Sequence, residues 1–241
     1  MDAYLLALAY AAMPALGNFG GGLLAEVVPV SRRMLSLALH AAAGIVLAVV
    51  GLELLPRAFA AGTPIVPIAA FVAGGAFYLL VDIAIDRVTA LRGEGSGGPW
   101  AIWFGVAMDL FSDGIMIGTA ALLSPGLGFL LALGQVPADI PEGFATIATF
   151  RDRGVARLRR IALSAAFAIP ILLGTTIGFW LVRGQPEIVQ LSLLAFTGGV
   201  LTTVVVEEIV PEAHKSRDAR LATVVFVGGF ALFAVLSAYL G

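Results

Sequence analysis

The chain has 241 residues, of which 60% are hydrophobic and 12% charged, with a mean hydropathy of +1.01. Soluble domains carry about a quarter charged residues, so a water-soluble globule is excluded. A net charge of −2 gives no nucleic-acid signature, and the lack of cysteine removes disulfides and thiolate metal sites.

Between charged breaks the apolar segments fall at 3–25, 35–55, 64–86, 100–123, 127–150, 158–182, 188–210 and 220–240. Each approaches the roughly 20 residues that cross a bilayer as a helix. The first is too long for a signal peptide and lacks a basic leading region, so it is expected to stay as a span. The fold class is therefore all-α, a polytopic membrane protein of eight transmembrane helices forming one domain over 1–241. The 29 glycines suit it, because small residues let membrane helices approach closely. The longest connection, Arg92–Pro99, reads as a flexible linker.

With eight spans, one face carries Arg32, Arg33, Arg87, Arg92, Arg151, Arg153, Arg157, Arg159, Arg160, Lys215, Arg217 and Arg220, and the other only Arg57 and Arg183. Basic residues collect on the cytoplasmic side, which places both termini outside the cytoplasm.

The first three spans (3–86) echo the last three (158–240). Pro14 and Gly22 match Pro170 and Gly178 at an offset of 156. Glu53-Leu-Leu-Pro-Arg-Ala matches Glu208-Ile-Val-Pro-Glu-Ala at 155, and Gly74-Gly75 matches Gly228-Gly229 at 154. Spans 2 and 7 have opposite parity, so the units are inverted copies, an arrangement of transporters whose sites lie near the midplane.

Spans 4 and 5 (100–150) stand outside the repeat as an antiparallel hairpin turned at Ser124-Pro125-Gly126. Asp109, Ser112 and Asp113 share one face of span 4, continued by Met116; Gln135, Asp139 and Glu142 share one face of span 5. Both faces lie at the same depth. An acid at a membrane helix centre costs roughly 2.5–3.5 kcal/mol, and no Lys or Arg lies near. A divalent cation is the natural counter-charge. Pro137 and Pro141 remove backbone donors and are expected to break the helix, as along ion pathways. The acids could instead stay protonated and bond helix to helix, or relay protons. Glu53 and Glu208, equivalent under the repeat, are candidate stations at each mouth, with Glu207 beside the second; both also suit solvated helix ends. His40 and His214 are further candidate pathway residues, and Asp82 and Asp86 could pair with Arg87.

Across nearly its whole length the chain resembles the ZIP family of divalent-metal (zinc/iron) transporters. The resemblance rests on Ala138-Asp139-Ile140-Pro141-Glu142-Gly143 in span 5, on Phe196-Thr-Gly-Gly-Val and Glu208-Ile-Val-Pro-Glu-Ala-His214 in span 7, and more loosely on Asp109-Leu110-Phe111-Ser112-Asp113-Gly114 in span 4. It implies a 3+2+3 arrangement, a bacterial inner (plasma) membrane location, a homodimer, and uptake of M²⁺ as substrate, with no cofactor. Leu110 and Ala138 stand where the family commonly places ligands, and the His-rich loop between spans 3 and 4 is missing. A one-ion, oxygen-rich site follows, which suits Mn²⁺, Fe²⁺ or Mg²⁺ as well as Zn²⁺. The resemblance itself implies zinc. The competing readings are a proton-coupled small-solute carrier and an intramembrane aspartyl protease built on Asp113 and Asp139.

Overall fold

The computed structural model describes residues 2–29, 31–60, 62–91, 99–214 and 219–240. Of the linker expected over Arg92–Pro99, residues 92–98 lie outside them, as do Lys215 and Arg217, and Pro99 opens a helix. Among the described residues the chain is all helical, in eight rods: α1 (Ala3–Val27), α2 (Arg32–Ala60), α3 (Ile65–Leu91), α4 (Pro99–Leu123), α5 (Pro125–Asp152), α6 (Arg157–Val182), α7 (Glu187–Ala213) and α8 (Ala219–Leu240). Seven are long and apolar enough to cross a membrane. The exception is α5, whose 28 residues would reach about 42 Å but which carries Gln135, Asp139, Glu142, Arg151 and Asp152. Packing against α1, α2 and α4 buries Gln135 and Asp139 and half-buries Glu142, while Arg151 and Asp152 stay exposed at the helix end.

Local chemistry sets the ends. Asp2 accepts a hydrogen bond from the Tyr4 N–H, and Ser31 from the Met34 N–H, capping α1 and α2. Pro125 occupies the first turn of α5, where no donor is needed. Gly154 (φ +74) and Gly184 (φ +77) turn the chain after α5 and α6 in the left-handed region.

Prolines shape three rods in ways the sequence pattern did not show. Before Pro56, residues Val49–Leu54 of α2 open into a π-helical turn, with the Leu55 N–H reaching the Val50 carbonyl. Before Pro211, residues Val205–Ile209 of α7 do the same, with the Val210 N–H on Val205. In α6 the missing N–H of Pro170 interrupts the helix at Phe167. The break expected at Pro137 and Pro141 does not occur. Helix α5 runs unbroken through both, held between α1, α2 and α4.

The rods pair closely as α1 with α5, α4 with α6, α3 with α7, and α2 with α8, while α4 and α5 meet at the centre. Of the apolar window, 78% is buried in α4, against 11% in α3 and 17% in α8, so α4 is central and the other two peripheral. Glycines make the close contacts. A β-carbon at Gly44 would overlap the Phe226 carbonyl, and one at Gly229 the Ala41 carbonyl. Across α3 and α7, Gly199 meets the Phe71 carbonyl and Gly74 the Phe196 carbonyl in the same way. Each residue lies 155 positions from its counterpart (Gly44 to Gly199, Ala41 to Phe196). Likewise Gly21 meets the Ile140 carbonyl on α5, and Gly178 the Ile115 carbonyl on α4. These contacts match Gly21, not Gly22, to Gly178, and Gly74 to Gly229. Adjacent glycines leave the register open by one residue in the sequence, and the partner carbonyl decides it.

Candidate functional site

Three helices supply the central cluster. From α4 come Asp109, Ser112 and Asp113; from α5 come Gln135, Asp139 and Glu142; from α1 comes Asn18, which the sequence pattern did not single out. Asp113, Gln135, Asp139 and Asn18 are at most 2% exposed, and Asp109 is 6% exposed. Glu142 is half-buried. Met116, fully buried, packs below the aspartates in the apolar core.

Hydrogen bonds knit the cluster. The Gln135 amide donates to Asp113 Oδ1, and Asn18 Nδ2 donates to Glu142 Oε2 at 3.1 Å. Asp109 lies near Glu142, and Asp139 near both Asp113 and Asp109, so these carboxyl groups feel one another's charge. Asn18 Oδ1, Asp109 Oδ1, Asp113 Oδ2, Gln135 Oε1 and Asp139 Oδ2 are buried with no hydrogen-bond partner among the described residues. Each such atom costs about 1–3 kcal/mol if left unmet. Five unmet atoms, all oxygens, fit a cation. Ser112 is buried, but no hydrogen bond joins its hydroxyl to the aspartates among the described residues.

Among those residues, no three His, Asp or Glu side chains stand around one common point. A ligand shell here therefore needs the amide oxygens of Asn18 and Gln135 and rotation of the carboxylates. A loosely organised, oxygen-only set suits hard or borderline divalent ions that must also leave.

A cavity of about 470 Å³ leads from Glu142 toward the arginine-rich end. Its walls carry Asp82 and Asp86 of α3, Glu207, Glu208 and Glu212 of α7, and Arg153 of α5. Six acids with one base attract cations. Tyr78 donates to Glu208, and Glu207 is exposed. At the other end a cavity of about 430 Å³ is lined by Arg57, Ser124, Leu127 and Glu187, and by none of the central acids.

Glu53 stands there with both oxygens engaged: Arg57 reaches Oε2 at 2.9 and 3.2 Å, and the Ser237 hydroxyl donates to Oε1 at 2.5 Å. Its equivalence to Glu208 is thus one of position and not of surroundings. His40 and His214 lie apart from the cluster and close to each other. Glu26, also unmarked in the sequence pattern, is buried at the arginine-rich end and clamped by Arg160 at 2.5 and 2.7 Å, tying α1 to α6.

A bundle of apolar helices with ionisable groups gathered in its interior, beneath a one-sided acidic cavity, defines a polytopic membrane protein with buried carboxyl groups. The family described as "ZIP Zinc transporter" matches residues 93–237. The chain is 32% identical over 175 residues to Zinc transporter GufA of Myxococcus xanthus, covering 70% of this chain and 68% of that protein. It is 26% identical over 147 residues to Zinc transporter ZIP4 of Homo sapiens, covering 58% of this chain and 22% of that longer protein. The chain belongs to the ZIP zinc transporter family.

Proposed function

We propose that the protein carries divalent metal cations, Zn²⁺ foremost and Fe²⁺ or Mn²⁺ where the oxygen ligands permit, across the membrane into the cytoplasm. The observation that carries this is the set of five unpartnered buried oxygens at the head of an acidic cavity. Asp109, Asp113, Asp139 and Glu142 supply charge to the ion, and the amide oxygens of Asn18 and Gln135 complete its shell. Glu142 lines the cavity, so it is the threshold between the cluster and the exit.

Direction follows from the basic residues. Taking the arginine-rich end as cytoplasmic, both termini lie outside, and the cavity faces inward. The reciprocal glycine contacts and the paired π-turns support reading α1–α3 and α6–α8 as inverted copies around the α4–α5 hairpin. Equivalent positions then differ in the manner alternating access requires. Glu53, Arg57 and Ser237 close the outer end, while their counterparts Glu208, Glu212 and Asp82 line the open inner one. Exchange of these two arrangements would present the ion to each side in turn. Assembly as a homodimer in a bacterial inner membrane completes the proposal.

The test is Zn²⁺ flux into proteoliposomes. Asp113→Asn and Asp139→Asn are each expected to lower flux at least tenfold while the protein remains folded. Wild-type flux in both would refute the site. Flux of protons with no metal would favour a proton-coupled carrier instead.

A further inference from the structure

The chain has two histidines, and the fold brings them together. His40 lies buried on α2, and His214 sits exposed at the end of α7, with ring centroids 4.9 Å apart. His40 Nδ1 lies 2.7 Å from the Ser36 carbonyl, and His214 Nδ1 lies 2.8 Å from the Val210 carbonyl. A carbonyl only accepts, so each Nδ1 carries a proton and each neutral ring keeps its lone pair on Nε2. Backbone bonds of this kind fix the tautomer of metal-ligating histidines.

The spacing agrees. With a nitrogen–metal bond of about 2.0–2.1 Å, an ion lies roughly 3.2 Å from each ring centroid. Two such rings at a near-tetrahedral angle then have centroids about 5 Å apart. The Ser36 hydroxyl also donates to the Ala213 carbonyl, pinning the two helices beside the pair. Their chain neighbours Leu39, Pro211 and Glu212 line the acidic cavity, so the pair lies close beside it.

We propose that His40 and His214 form a two-imidazole site beside the acidic cavity for a borderline divalent cation such as Zn²⁺. Among the described residues no third histidine or acid completes a group around an ion, so water fills the shell and exchange is fast. Binding here is independent of the central cluster. The role of the site, taking the ion from oxygen ligands to nitrogen ligands as it leaves, rests on the transport reading above.

Two histidines make the experiment simple: ¹⁵N-histidine NMR of the full chain in nanodiscs, purified without a histidine tag. Zn²⁺ is titrated into the Asp113→Asn/Asp139→Asn variant, which silences the central cluster. Both Nε2 signals are expected to shift together over the same Zn²⁺ range, with both Nδ1 protons retained. In His40→Gln, with an unchanged melting temperature, the His214 shift should disappear or need at least tenfold more Zn²⁺. Absent shifts, or an unaltered His214 titration in His40→Gln, would overturn the pair. Failure of the central site would show separately, as normal Zn²⁺ flux in the Asp113/Asp139 variant.

Discussion

Replacing Asn18 with alanine separates a ligand from a packing residue. Its Nδ2 donates to Glu142 at 3.1 Å, while its Oδ1 is buried without a partner. A hydrogen bond to an ionised group contributes about 1.5–3 kcal/mol, and loss of that support from Glu142 alone weakens cation binding about 10- to 100-fold. The cost to folding is smaller. Removing the donor strips one partner from Glu142, but removing the unmet acceptor relieves a desolvation penalty of about 1–3 kcal/mol. The two effects oppose each other, leaving a net change of no more than about 2 kcal/mol in either direction. Calorimetric titration of Zn²⁺ into nanodisc-embedded protein, with thermal unfolding alongside, reads both. Asn18→Asp keeps an oxygen ligand and adds charge, so it should bind Zn²⁺ at least as tightly while the ion-free protein melts lower. Wild-type affinity in Asn18→Ala would refute the reasoning.

Neutralising one central acid should separate binding from stability in the opposite sense. Asp113→Asn relieves repulsion among buried like charges, so the ion-free protein should melt no lower than wild type while Zn²⁺ affinity falls at least tenfold. At the outer end, Arg57→Ala leaves Glu53, 4% exposed, as an unpaired charge. Stranding a buried charge in this way costs up to about 3–5 kcal/mol, and the Glu53→Gln/Arg57→Ala double variant should recover most of that loss in thermal unfolding. Gly143→Ala forces a β-carbon into the Asn18 carbonyl; overpacking of about 1–3 kcal/mol should appear as a lower melting temperature and a lower yield of folded protein.

What the sequence made legible was whatever depends on periodicity. Hydropathy located all eight helical rods, and the i, i+4 spacing of Asp109 with Asp113 and of Gln135 with Asp139 put each set on one face. Contacts made across helices were hidden. Asn18, the chain's one asparagine, sits alone in an apolar span, a signal that its amide needs a partner but not which one. The engagement of Glu53 was within reach, because Arg57 stands four residues on. That spacing favours an ion pair on one helix face. Pro137 and Pro141 leave their helix unbroken, since a proline frees a carbonyl without deciding whether neighbouring helices hold the rod straight.

The two π-turns connect fold to function most directly. Each lies just before a proline, 155 residues apart, and each carries one glutamate of the repeat, Glu53 or Glu208. The sequence around them then departs from symmetry in charge. Arg57 faces Glu53 where Glu212 stands beside Glu208, and Ser237 occupies the place equivalent to Asp82. Inverted copies with identical charges would hold the cation equally at both ends. On the transport reading proposed above, a base at one end and acids at the other would bias the structure toward a closed outer face and an inner cavity that attracts cations. On this argument the resting preference of the protein is set by a few side chains at the mouths. Arg57→Glu, which removes the largest charge difference between the ends, should therefore shift the balance of the two arrangements without touching the central carboxylates.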